Sequence, residues 1–357
     1  MPSLTLWFQG NGITYVGNTD YFPSIPFGKP PVGPLRFKPP VPWTTTDSNT
    51  TIDATAFEPS CLQGLTDFEG PTSEDCLTLH IYGGGFYFGT AEGYQGWYMA
   101  NRDVLNVPPG WKGEDQGPVV LGPVLALGDV FLSELPSVSI RAGRFAKVPF
   151  INGAVLDEGT IFLNPETPET EKNVTQMALI PGAGPLLWLQ QSNYPAASSP
   201  YRTGNETFGK AAQYKGLASV ASRRDHIRIA TRFGVPVWSY LFTATINTLL
   251  APFQPEADFP REGVQHTSEI AFVFRALSQS GLPIPEPYLR LEDSIFNYWL
   301  NFVYTLNPSS ELVFYMYWPK YGKNATLLEL GIDIYQILDT FRAEAIEYIT
   351  DTPSLYN

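Results

Sequence analysis

Apolar and polar residues alternate from Cys76 to Tyr82 (Cys-Leu-Thr-Leu-His-Ile-Tyr), the period of a half-buried strand. Two short apolar runs, Lys147 to Leu156 and Val235 to Phe242, read as buried strands. Before the second, Val220 to Phe233 has apolar residues at helical spacing and stops at Gly234, a residue suited to the left-handed position past a helix end. Leu291 to Leu306 predicts another amphipathic helix, with Ile295, Phe296, Trp299, Leu300 and Val303 on one side and Pro308 beyond its end. Strands alternating with helices predict an α/β sheet. Residues 19–43 are Pro-rich and read as an extended N-terminal wrap over a core. Residues 87–117 carry no readable pattern, and Asn106-Val107-Pro108-Pro109-Gly110 interrupts any regular element there.

Composition narrows the class. The 357 residues are 43% hydrophobic and 16% charged, as in a soluble globular protein, and 33 Pro with 31 Gly predict many loops. A net charge of −13 argues against nucleic acid or an anionic membrane as partner, and a solvated acidic surface accounts for it. The most apolar run, Gly117 to Gly128, is too short to span a bilayer and contains Pro118 and Pro123, so no transmembrane segment is expected. Met1 to Leu6 has neither a basic start nor a long apolar core, so no signal peptide is expected in this chain. Cys61 and Cys76 are either a disulfide or two free thiols. Glycosylation sequons at Asn49, Asn173, Asn205 and Asn324, together with this pair, favour a secretory route. A missing N-terminal segment would reconcile that route with the absent signal.

Three places could carry chemistry. Gly83-Gly84-Gly85 follows a strand, and its backbone N–H groups could turn toward a developing oxyanion; an ordinary Gly-rich turn is the plainer alternative. Glu158 follows a predicted strand and precedes Gly159, which puts it at a strand's C-terminal end, where such folds place their sites. A solvated loop carboxylate is the alternative. His266 lies in a loop just ahead of Ile270-Ala271-Phe272-Val273-Phe274. Of the other two histidines, His80 reads as structural within its strand, and His226 reads as part of a charged surface in Arg223-Arg224-Asp225-His226. Ser219 and Ser280 lack glycines at both flanking offsets, and neither follows a strand, so neither suits a nucleophile elbow. No metal-ligand or phosphate-loop pattern occurs, and no cofactor is expected.

Longer motifs bring these places together. Ile25 to Phe37 (Ile-Pro-Phe-Gly-Lys-Pro-Pro-Val-Gly-Pro-Leu-Arg-Phe) and Ser73-Glu74-Asp75-Cys76-Leu77 resemble the two N-terminal signatures of the type-B carboxylesterase/lipase family. Asp157-Glu158-Gly159-Thr160-Ile161-Phe162 is similar to its acid segment, and Gly263-Val264-Gln265-His266 to its histidine loop. Trp318-Pro319-Lys320-Tyr321 and Phe341-Arg342 resemble the fungal lipase branch in particular. Matching runs from about residue 20 to the end.

The resemblance implies one type-B domain over residues 1–357 with an α/β-hydrolase fold around a mostly parallel sheet. It implies a secreted carboxylic ester hydrolase that acts on small-molecule or lipid esters by acyl transfer. Glu158 would orient His266, and His266 would be the general base. Gly84 and Gly85 would donate to the oxyanion. Cys61 and Cys76 would form a disulfide, and Arg36 and Glu74 a structural salt bridge.

One part is missing. No Gly-x-Ser-x-Gly elbow occurs anywhere in the chain. A large segment is expected to be absent between about 106 and 117, and a smaller one near 80–83, so the central sheet is expected to be incomplete. An edge left unpaired and an apolar face left uncovered would follow. The chain itself is then expected to be inactive. The alternative is a non-catalytic carboxylesterase-like binding protein, but such a homologue would keep its sheet and lose the serine by substitution.

Overall fold

The computed structural model describes residues 5–10, 13–18, 25–26, 28–30, 32–35, 38, 41–44, 50–55, 133–159, 220–245, 263–309 and 316–351. The chain divides into two compact units, one made of Met1–Tyr98 with Leu121–Ser133, the other of Met99–Val120 with Glu134–Asn357.

In the first unit, β1 (Thr5–Gly10) pairs antiparallel with β2 (Ile13–Asn18), Gly10 facing Ile13. The residues between them are Asn11-Gly12, a preferred two-residue hairpin connection. β3 (Thr51–Asp53) joins β2 in parallel. Within the Pro-rich stretch, Gly28 and Pro42 form an isolated bridge, and Gly33–Leu35 is one 3-10 turn.

The second unit holds a four-stranded sheet. Its order is β4 (Phe150–Val155), β5 (Val237–Phe242), β6 (Thr326–Leu330) and β7 (Ile334–Leu338). The first three strands are mutually parallel, and β7 returns antiparallel to β6. All six residues of β5 are buried, as expected of a parallel strand covered on both faces. On one face Trp238, Tyr240 and Phe242 pack with α5 (Glu286–Thr305) through Leu291, Ile295 and Tyr298, and with Trp318. On the other, Val237 packs with Ile227 and Ala230 of α2 (residues 220–232). Gly153 on β4 lies against the Tyr240 ring, and a Cβ there would come 2.1 Å from it, so the close strand pairing requires glycine. Shorter helices complete the described part: α1 (Pro136–Arg141), α3 (Ile270–Val273), α4 (Ala276–Gln279) and α6 (Ala343–Asp351).

The predicted strands at 147–156 and 235–242 and both predicted helices are present. α5 begins at Glu286, earlier than its apolar stripe suggests, because Pro285 and Pro287 suit a helix start. Its buried face is Leu291, Ile295 and Tyr298, and Val303 is exposed.

The charged run on α2 needs a larger correction. Arg223 and Arg224 are 5% and 1% exposed. Both guanidinium groups donate to Asp339 Oδ1 at 2.7 Å, and Tyr321 donates its hydroxyl to Oδ2 at 2.9 Å. Arg223 also donates to Ser239 Oγ on β5, and Arg224 to the Phe341 carbonyl, each at 2.7 Å. His226 is half-buried and stacks on Phe150 at 4.8 Å between ring centres. The run is therefore an internal tie between α2, β5 and the turn after β7.

The predicted strand at 76–82 lies outside the described residues, as do Gly83, Gly84, Gly85, Cys61, Cys76, Arg36, Glu74, Asn49, Asn173, Asn205, His80, Ser219 and the stretch 106–117.

Candidate active site

The acid and the histidine meet where the parallel strands end. After β4 the ladder continues one step further, Leu156 N–H donating to the Phe242 carbonyl at 3.0 Å. The next residue changes partner. Asp157 N–H donates to the Val264 carbonyl at 3.0 Å, and Val264 N–H donates back to Asp157 Oδ2 at 2.9 Å. A parallel bridge between Asp157 and Gln265 results. It ties the segment holding Glu158 to the segment holding His266, 108 positions later in the chain.

Glu158 turns back on its own strand. Its Oε1 accepts the Val155 N–H at 2.9 Å, and its Oε2 lies 2.5 Å from His266 Nδ1. One carboxylate oxygen is thus held by backbone and the other by the imidazole. Glu158 is 7% exposed, while the His266 side chain is about half exposed at 48%. The pair has a buried carboxylate and an imidazole that solvent reaches. The histidine turn is tight: Thr267 has a φ of 77°, and Ser268 donates both its N–H and its hydroxyl to the Gln265 carbonyl.

The electrostatics hold a proton on the ring more tightly than on a free imidazole. Burial pulls the His266 pKa down, but the hydrogen bond and charge of Glu158, with Glu269 behind them, raise it above the usual 6.5. With Nδ1 as donor to Glu158, Nε2 is the nitrogen that exchanges protons.

Glu269, three residues on, stands at the start of α3, where its backbone carbonyl accepts the Phe272 and Val273 N–H groups. Its Oε1 accepts the Tyr240 hydroxyl at 3.3 Å. Two oxygens of this loop, Gln265 Oε1 and Glu269 Oε2, are buried without a hydrogen-bond partner among the described residues. Sequence reasoning named neither Asp157, Tyr240 nor Glu269 as site residues. Glu269 lies three residues past His266, and no sequence signal marks its Oε2 as buried.

Ser280 ends α4, its hydroxyl donating to the Leu277 carbonyl, and plays no part in the pair. Asn324 lies exposed in the turn before β6. Among the described residues no group of three or more His, Cys, Asp or Glu could hold a metal ion, and no helix is long and apolar enough to cross a membrane.

A backbone-held carboxylate bonded to imidazole Nδ1 at a strand end is the acid–base half of a hydrolytic triad in form. Comparisons with known proteins bear on the family and the fold. The sequence model of the carboxylesterase family matches residues 9–112 and 105–349. Secreted triacylglycerol lipase LIP1 of Gibberella zeae is 29% identical over 236 residues, covering 61% of this chain and 37% of that protein. Secreted lipase 1 of Botryotinia fuckeliana is 29% identical over 252 residues, covering 63% and 39%. Juvenile hormone esterase of Tribolium castaneum is 48% identical over a shorter stretch of 96 residues, 23% of this chain and 15% of that one. The chain thus spans well under half the length of the two fungal relatives. A solved structure of PNB esterase superposes on 93% of this chain and 98% of its own, with a TM-score of 0.57 at 18% identity, a likeness of fold. The chain belongs to the carboxylesterase family, and its fold is that of the α/β-hydrolases.

Proposed function

We propose that this chain comes from a secreted carboxylic ester hydrolase working through a Ser-His-Glu triad, and that it carries the acid and the base without the serine. The observation that supports this reading most is the 2.5 Å contact between Glu158 Oε2 and His266 Nδ1 at the ends of the parallel strands. In the complete enzyme a serine attacks the ester carbonyl while His266 Nε2 takes its proton. The same proton then goes to the leaving alcohol, and water releases the acyl group by the reverse use of His266. Glu158 fixes the tautomer and stabilises the imidazolium. Gly84 and Gly85 donate N–H groups to the tetrahedral oxyanion.

The substrate class is small-molecule or lipid esters. Residues 1–357 form one type-B domain that lacks an internal stretch between about 106 and 117 and a smaller one near 80–83. The family match coming in two pieces that meet at 105–112 supports the first of these. Loss of a triad serine costs roughly 10⁶ in kcat, so this chain is inactive toward esters. The two fungal relatives named as secreted support an extracellular protein. A Cys61–Cys76 disulfide, an Arg36–Glu74 salt bridge and glycans at Asn49, Asn173, Asn205 and Asn324 belong to the same reading.

Sequencing the natural transcript between the codons of Leu79 and Gly117, and assaying each encoded product on p-nitrophenyl esters, tests it. The expected result is a longer product with an elbow, whose hydrolysis drops roughly 10⁴-fold or more with His266→Ala. The 357-residue chain should show none. Hydrolysis by this chain that survives His266→Ala would overturn the assignment.

A further inference from the structure

The Glu158–His266 pair has a second carboxyl behind it. Glu269 enters from the same loop as His266, and its two oxygens are served unequally. Oε1 has one long hydrogen bond, from the Tyr240 hydroxyl at 3.3 Å, and Oε2 is buried with no partner among the described residues. Tyr240 can act only as a donor there, because burial first and the nearby carboxylates second push its phenol well above 10. An ionised carboxylate in that position would bury charge with little hydrogen bonding to offset it, close to the charge of Glu158. A neutral acid fits better: its proton sits on one oxygen, and the other still accepts from Tyr240.

We infer that Glu269 is a positioning residue for the acid–base pair, a buried carboxyl that, at a fixed pH, gives up its proton more readily when His266 takes one. The inference rests on His266 being the base of the proposed reaction. On ionising, only the O–H bond of Glu269 breaks, and its proton leaves to solvent. The groups facing it are Glu158 beyond the end of β4, His266 from its own loop and Tyr240 from β5, with Arg223 of α2 acting on Tyr240. Burial first and the Glu158 charge second push the Glu269 carboxyl up to about 7, while its own backbone N–H, the His266 charge and the Tyr240 hydroxyl pull it down. Protons on His266 and Glu269 are therefore linked, and the two titrate as a pair. A proton arriving on His266 calls up a second negative charge nearby. With His266 neutral, one carboxylate charge is buried there instead of two.

The test is NMR titration of the full chain, labelled with ¹³C at glutamate carboxyls and histidine rings, from about pH 4 to 9. Glu269 is assigned by the signal lost in Glu269→Gln, a change that keeps the acceptor for Tyr240 and removes the charge. The expected results are a Glu269 midpoint near 7 in the natural chain and a lower His266 midpoint in the variant than in the natural chain. A purely structural Glu269 would leave His266 unmoved. A Glu269 midpoint near 4.5, or a His266 midpoint unchanged in Glu269→Gln, overturns the inference. Should Glu269→Gln not fold, Tyr240→Phe serves: losing the hydroxyl is expected to raise the Glu269 midpoint further, and an unchanged midpoint counts against the proposal. Titration needs no turnover, so a failed ester assay and a failed titration remain separate outcomes.

Discussion

Asp157 Oδ2 occupies the space where a side chain on Gly263 would begin. A Cβ on Gly263 would stand 2.3 Å from that oxygen, and Gly263 has a φ of +62°. The same oxygen accepts the Val264 N–H that joins the histidine loop to the acid segment. The glycine opening the Gly263-Val264-Gln265-His266 motif is thus required twice, for its backbone and for the carboxylate beside it.

Gly263→Ala should therefore cost roughly 1–3 kcal/mol of unfolding free energy, as a strained residue pressed on a buried polar group. Gly234→Ala is the control: its φ is +75°, but nothing lies within 4 Å of its would-be Cβ, so only backbone strain of about 1 kcal/mol applies. Urea unfolding of both variants measures the difference. Equal losses would mean that the Asp157 contact constrains nothing.

Glu158→Gln separates the two influences on His266. Burial acts on the imidazole in both proteins, whereas the charge of Glu158 acts only in the natural chain. The His266 midpoint, read from its ring signals by NMR, should fall in the variant. An unchanged midpoint would show that the 2.5 Å contact does not hold in solution.

The pH dependence of stability follows from two carboxyls shifted in opposite directions. Glu269 is raised from 4.5 to about 7, so the folded chain keeps a proton that the unfolded chain releases. Its contribution is fully present below 4.5 and is lost as pH rises to about 7, up to about 3 kcal/mol in all. His266, also raised, adds to the loss as pH climbs through its folded value. Asp339 acts at the other end: burial alone would raise it, but Arg223 and Arg224 hold it below 3.8. Its contribution is present above 3.8 and is lost as pH falls through the lowered value. Stability should fall on both sides of mildly acidic pH. Glu269→Gln should flatten the alkaline side alone, which urea unfolding at about pH 5 and pH 8 would show. A variant no more stable than the natural chain at the higher pH would refute the Glu269 part.

Sequence patterns reach some of this structure and not the rest. β4, β5 and α2 are legible because their apolar runs match their burial, all of β5 being covered; α5 is legible as a helix, but its buried face, Leu291, Ile295 and Tyr298, shares only Ile295 with the predicted stripe. The β6–β7 hairpin was not read, although Leu327, Leu328 and Leu330 ahead of Gly331 offered a run and a turn. Asn11-Gly12 between β1 and β2 is a second such signal. Glu158 and His266 were found through motif order, and their contact spans 108 positions that no local pattern bridges. The misreading of Arg223 and Arg224 has a similar cause: adjacent charges on a helix usually face solvent, and the carboxylate that draws these inside is 115 and 116 residues away.

Asp339→Ala gives the most direct check on that internal tie. Asp339 is 4% exposed and accepts from Arg223, Arg224 and Tyr321. Removing it leaves two buried guanidinium groups facing one another without a counter-charge, so the loss should be about 3–5 kcal/mol. Asp339→Asn keeps one acceptor oxygen but no charge, and should fall between the natural chain and the alanine variant. An exposed ion pair such as Arg290 with Glu286, 3.6 Å apart on α5, should by contrast contribute under about 1 kcal/mol when broken by Glu286→Gln. Urea unfolding of the three variants at neutral pH ranks them. If Asp339→Ala cost no more than Glu286→Gln, the two arginines would have to be reaching solvent, and α2 would have to pack differently against β5 from what the structure shows.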